Sequence, residues 1–149
     1  MKSQITNPDV WFLVQHRQGK IEDATFGLLG EAQRLSRGRG KVVAVCLGWG
    51  LDQEIHVLEE RGADRIVNVK DERLAHFHAE AQAGVLAGLL MRENPLFFLM
   101  AHSAETADLA PRLAAALGTG LVTRAMDLTM DANGKVALSV SGTLHAGDH

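Results

Sequence analysis

Residues that could do chemistry gather at two places in this chain of 149 residues. His16 and Arg17 follow the first apolar run. His102, Ser103, Thr106, Asp108 and Arg112 follow the last one before an Ala-rich stretch. A serine, a histidine and a carboxylate are the components of a nucleophilic hydrolase. Here, however, His102 and Ser103 are sequence neighbours, which rarely form a nucleophile–base pair, and no Gly-x-Ser-x-Gly elbow is present. Cys46 lies inside an apolar run, where a thiol behaves as a small hydrophobe. No catalytic residue is assigned on this basis.

Metal and phosphate chemistry fare no better. His76-Phe77-His78 falls on an expected helix, where residues two apart point to different faces and cannot share an ion. His78-Ala79-Glu80 lacks the Pro-Cys-x-x-Cys that a zinc deaminase requires. His145, Asp148 and His149 crowd the C-terminus, where fraying is the default. No metal site is assigned. Neither a Walker motif nor a Gly-x-Gly-x-x-Gly after the first strand occurs, and Gly48-Trp49-Gly50 reads as a closely packed turn.

These residues are positioned by alternating elements. Val10–Val14 reads as a buried strand. Gln18-Gly19-Lys20 is a turn, and Ala24–Ser36 an amphipathic helix capped by Asp23 or Thr25. Arg34, Arg37, Arg39 and Lys41 read as cations opposing that helix's dipole rather than as an anion site, with Gly38 and Gly40 ending the helix. A strand over Lys41–Leu47 is apolar throughout, as in parallel sheets. Then come a short helix over Leu51–Arg61 and a strand over Arg65–Val69. A long helix from Ala75 to Arg92 is stopped by Asn94-Pro95. A strand over Leu96–Ala101 and a helix over Glu105–Leu117 follow. Asp131-Ala132-Asn133-Gly134 between Val122–Met130 and Lys135–Ser141 signals a closing hairpin.

The pattern βαβαβαβα predicts a three-layer α/β fold with a mainly parallel sheet, ending in an antiparallel hairpin. A strand order of 3-2-1-4-5 would place the topological switch point between the first and fourth strands. Ligands collect there in open α/β sheets. Gln15, His16, Arg17, His102, Ser103 and Ala104 stand at those strand ends, with Thr106, Asp108 and Arg112 just beyond. They form a candidate switch-point or interface loop. Asp108 and Arg112 are four apart, so an intrahelical ion pair and a ligand-facing polar cluster are equally open.

Composition bounds the rest. The length predicts one domain over residues 1–149. Hydrophobic residues make up 46% and charged residues 22%, as in globular proteins. A net charge of −3 and 5% aromatics argue against nucleic-acid binding. One cysteine excludes an internal disulfide. No signal peptide or membrane span is read, so a cytoplasmic or organelle-matrix location is expected.

Several stretches resemble the N-terminal domain of the electron-transfer flavoprotein alpha subunit. They are Val10-Trp11-Phe12-Leu13-Val14-Gln15-His16, Gly19-Lys20-Ile21-Glu22-Asp23 and Leu28-Leu29-Gly30-Glu31-Ala32. Val42-Val43-Ala44-Val45, Leu47-Gly48 and Gly62-Ala63-Asp64-Arg65 continue the series. The most specific is Asp108-Leu109-Ala110-Pro111-Arg112-Leu113-Ala114-Ala115, followed by Leu117-Gly118-Thr119-Gly120-Leu121. The resemblance runs in register over about residues 9 to 140. Two positions depart from the family pattern. Thr106 and Ala107 replace its Gly-Arg, and Gly142–Gly147 lacks the Arg, Pro and Tyr of its last strand.

The resemblance implies a nucleotide-binding-like (Rossmann-like) topology and a role as scaffold and docking domain without a catalytic site of its own. It implies a heterodimer with a beta subunit. It implies electron transfer from dehydrogenases to a quinone reductase or other acceptor through FAD. That FAD is held mainly by a C-terminal domain outside these residues, so this chain is expected not to hold flavin tightly alone. AMP belongs to the beta subunit. The alternative from the pattern alone is a stand-alone nucleotide-binding module of universal-stress-type architecture.

Overall fold

A computed structural model describes residues 7–101, 103–117, 126–130 and 135–140. Strand β1 spans Asn7–Leu13, and a small antiparallel ribbon of β2 (His16–Arg17) and β3 (Lys20–Ile21) follows it. Helix α1 (Asp23–Ser36) leads to β4 (Val42–Gly48), α2 (His56–Glu60) and β5 (Arg65–Lys70). Helix α3 (Ala79–Glu93), β6 (Pro95–Ala101) and α4 (Ala104–Ala116) come next, and β7 (Met126–Met130) and β8 (Lys135–Val140) close the series.

The main sheet has the order β5-β4-β1-β6-β8-β7. Its first four strands are parallel: β1 pairs with β4 and β6, and β4 with β5. The chain thus builds one way from β1, then returns to add β6 on β1's other side. With right-handed crossovers this reversal sends α1 and α2 to one face and α3 and α4 to the other. The core divides accordingly, because strand residues alternate between faces. Trp11, Val43, Val45 and Phe98 pack with Leu86 and Leu90 of α3 and Leu109 and Leu113 of α4. Val10, Phe12, Val42, Ala44 and Leu99 pack with Leu28, Leu29 and Ala32 of α1.

The hairpin enters the sheet differently from the expected 3-2-1-4-5 order. The second arm, β8, lies antiparallel beside β6, and the first arm, β7, forms the edge. This leaves β7 parallel to β6, as a β–α–β unit requires, with the return strand filling the slot between them. The Asn133-Gly134 turn lies outside the described residues.

Three further local expectations change. Helix α1 starts after Glu22 with no side-chain cap, so neither Asp23 nor Thr25 caps it. Thr25 is buried and tied to the Gln15 backbone instead. The helix expected over Leu51–Arg61 is helical only over His56–Glu60. The helix expected from Ala75 begins at Ala79, after a 3-10 turn at Glu72–Leu74. His76 and Phe77 therefore lie before α3, and His78 is its N-cap, its Nδ1 accepting from the Ala81 N–H at 3.2 Å. The Asn94-Pro95 stop holds: Asn94 adopts φ 48° and donates to the Leu90 carbonyl at 2.7 Å, and Pro95 opens β6. No helix among the described residues is long and apolar enough to cross a membrane.

Candidate functional site at the switch point

The reversal of winding parts the chain at the carboxyl ends of β1 and β6. A cleft of about 260 Å³ opens there. Its walls are the segment after β1, the start of α4 and the Ala75–Phe77 segment before α3.

The first wall is fixed through backbone contacts. The Gln15 N–H donates to Thr25 Oγ1 at 3.0 Å, and the Thr25 hydroxyl returns a bond to the Gln15 carbonyl at 3.2 Å. Glu22 N–H donates to the same carbonyl at 2.8 Å. His16 Nε2–H donates to the Leu47 carbonyl at 2.7 Å, tying this segment to the end of β4. That contact explains Gly48, because a Cβ there would stand 2.9 Å from His16 Nε2 and 2.8 Å from Leu51 Cδ1. Gly50 has φ +79°, so the Gly48-Trp49-Gly50 segment is a tight turn, as its glycines predict.

Ser103 and Thr106 build the second wall as a capping box. Ser103 Oγ accepts from the Thr106 N–H at 3.1 Å, and Thr106 Oγ1 accepts from the Ser103 N–H at 2.9 Å. The Thr106 hydroxyl then donates to the Ala101 carbonyl at 2.7 Å, anchoring α4 to β6. These orphan N–H groups need partners at any helix start. Gln15 Nε2 also donates to Ser103 Oγ at 3.2 Å, so the two strand ends are linked across the switch point. Ser103 is thereby a helix cap held by amide donors, with no imidazole or carboxylate bonded to its hydroxyl among the described residues. His102 lies outside the described residues, as do His145, Asp148 and His149.

The remaining candidates separate. Arg17 and Thr106 line the cleft with Gln15 and His16, whereas Asp108 and Arg112 do not. Arg17 is paired with Glu22 at 3.0 Å, and that bond, aided by the charges of Glu22 and Glu105, holds its guanidinium above its usual value. Asp108 and Arg112 form an exposed i,i+4 ion pair at 3.1 Å. Arg34, in the last turn of α1, pairs with Glu31, and Gly38 turns at φ +74°. Cys46 sits in the core of β4, where burial and then Asp52's charge push its thiol up to about 12. An unionised thiol is a poor nucleophile.

One buried polar atom of the walls lacks a partner, and Trp11 Nε1 in the core of β1 is the other such atom among the described residues. Gln15 Oε1 is sealed without a hydrogen bond. Gln82, 8% exposed, lines the cleft, and its side-chain amide bonds to none of the described residues. The sequence does hold a signal for Gln82. It lies on the stripe Ala79, Ala83, Leu86, Leu90 that α3 buries, the one polar side chain there. Among the described residues no three His, Cys, Asp or Glu are placed to share a metal ion.

Comparison with known proteins adds what geometry alone does not. The electron transfer flavoprotein domain matches residues 10–147. The chain is 34% identical over 138 residues to the acryloyl-CoA reductase electron transfer subunit beta of Anaerotignum propionicum, covering 91% of this chain and 38% of that protein. It is 32% identical over 114 residues to the electron transfer flavoprotein subunit alpha of Bacillus subtilis, covering 76% and 35%. It is 31% identical over 121 residues to the lactate dehydrogenase (NAD(+),ferredoxin) subunit LctC of Acetobacterium woodii, covering 80% and 29%. The chain spans well under half the length of these relatives.

Proposed function

The chain belongs to the electron transfer flavoprotein family, as an alpha-type domain, and on that premise we propose that it is a scaffold and docking domain. It positions a flavin held elsewhere in the complex between an electron donor and an acceptor. The observation that carries this reading is the family match over residues 10–147 in a chain covering 38% of a relative's length. In this reading the flavin domain corresponds to the part of the relatives that these 149 residues do not span.

The cleft supports the same division of labour. FAD does not fit it: about 260 Å³ lies below the ~300–1,000 Å³ of pockets that bury drug-sized ligands. A pyrophosphate would also meet Glu105 in the first turn of α4, and the Thr106 N–H there is already taken by Ser103. The same features disfavour a stand-alone nucleotide-binding module of universal-stress type.

The partner in this reading is an electron-transfer flavoprotein beta subunit, which would also carry any AMP. Donors are dehydrogenases, and a quinone reductase or other acceptor takes the electrons, in the cytoplasm or an organelle matrix. Relatives named for an acryloyl-CoA reductase and a lactate dehydrogenase support donors or acceptors of that class. Sedimentation velocity of the chain with a beta-type subunit tests the docking role. A faster-sedimenting complex is expected, and independent sedimentation of the two at tens of micromolar would remove the proposal.

A further inference from the structure

The amino end of the sheet carries cations that the fold leaves unused. Residues 34–41 hold four of the chain's 15 cations, Arg34, Arg37, Arg39 and Lys41, and no carboxylate. The other 141 residues hold 11 cations against 18 carboxylates. Attraction to a helix dipole fades within the last turn. In α1 that turn holds Arg34, already paired with Glu31. Arg37 follows the helix, and Arg39 and Lys41 lie beyond it. All three are exposed, and none pairs with a carboxylate among the described residues. Elsewhere Arg17, Arg65, Lys70, Arg73 and Arg112 each reach a carboxylate, and Arg61 lies over the Phe26 ring.

The backbone holds these three residues on a fixed frame. Arg37 (φ −43°, ψ 117°) and Gly38 (φ +74°) are the central residues of a type II turn, closed by the Arg39 N–H donating to the Ser36 carbonyl at 2.8 Å. Gly40 packs against Pro8 too closely for a Cβ. Asp9 and Asp64 meet the end of the loop, and each carboxylate accepts from a backbone N–H there, Lys41 and Val42 respectively. We propose that this loop, residues 37–41, docks an acidic segment of a partner protein. A backbone already fixed loses less freedom on binding. A nucleic acid or an anionic bilayer would extend past the loop and meet the chain's surplus of carboxylates. A short acidic segment meets the cations alone, within a Debye length. The loop stands at the opposite end of the sheet from the cleft, so docking here is separate from the positioning of flavin and does not depend on it.

The test is NMR of the isotopically labelled 149-residue chain, titrated with a short peptide of alternating Asp and Glu. Saturable shifts at the amides of residues 37–41 are expected at about millimolar concentration or below. Binding should weaken about tenfold or more between about 0.01 and 0.15 M salt, as the Debye length falls from about 30 Å to about 8 Å. Arg37→Gln, Arg39→Gln and Lys41→Gln combined should weaken it by about tenfold or more. The thermal midpoint should be kept, because these side chains pair with no carboxylate in the fold. If the triple variant fails to fold, the wild-type shifts and their salt dependence decide the matter. No saturable shift at about 10 mM peptide, binding insensitive to salt, or an unchanged affinity in the folded triple variant would overturn the proposal. So would inorganic phosphate giving the same shifts at the same concentration, or phosphatidylserine vesicles or duplex DNA binding more tightly than the peptide.

Discussion

The two ends of the parallel sheet are built to opposite plans. At the amino end the entry into β4 is sealed. Asp9 Oδ1 accepts from the Lys41 N–H at 2.8 Å, and Asp64 Oδ2 accepts from the Val42 N–H at 2.8 Å. Gly40 lies so close beneath Pro8 that a Cβ would run into the Pro8 carbonyl and stand 2.7 Å from the Asp9 nitrogen. At the carboxyl end the winding reverses, the connections diverge, and a cleft remains, with Gln15 Oε1 unpaired beside it. Buried polar groups without partners cost stability, and of the two among the described residues one, Gln15 Oε1, lies at this end, while Trp11 Nε1 lies within β1. The entry into β4 is closely packed at the amino end, and the cleft opens at the carboxyl end.

Substitutions can break or sharpen this contrast. The largest loss is expected at the amino end for Gly40→Ala, which forces backbone against backbone. Urea unfolding should show about 3 kcal/mol, and an unchanged midpoint would mean that this end is not closed. Asp64→Ala leaves the Val42 N–H unmet and should cost about 1–2 kcal/mol in the same assay. At the carboxyl end, Ser103→Ala removes a helix cap and should cost about 1 kcal/mol, with hydrogen exchange rising first in the opening turn of α4. If Ser103→Ala destabilised more than Gly40→Ala, the contrast would be inverted. The smallest effect belongs to Asp108→Ala, about 0.2–0.5 kcal/mol at low salt and less as salt is added, because the pair is exposed.

Much of the fold was legible because it rests on local signals. Continuous apolar runs marked β4 and β6, and Asn94-Pro95 marked the end of α3. Alternation of strand and helix implied parallel pairing, and the position of the cleft followed from winding direction alone. What escaped depended on contacts distant in sequence. Thr25 reads as a cap, yet its hydroxyl serves Gln15 ten residues away. The start of α3 was hidden because residues 75–78 have helix-compatible types, while the chain there forms the cleft's third wall. The slot taken by β8 depends on how the hairpin docks, which no short window records. At the site, the sequence identified Gln15, His16, Arg17, Ser103 and Thr106 by position. It left Asp108 and Arg112 open between an ion pair and a ligand-facing cluster, and they form the ion pair, outside the cleft. Gln82 escaped because helical spacing made its stripe read as plain core.

In the function proposed above, this domain positions flavin without holding it. Its most direct test is the visible spectrum of the purified 149-residue chain after incubation with excess FAD and gel filtration. A protein peak without flavin absorbance is expected. A peak carrying one equivalent of FAD would contradict it.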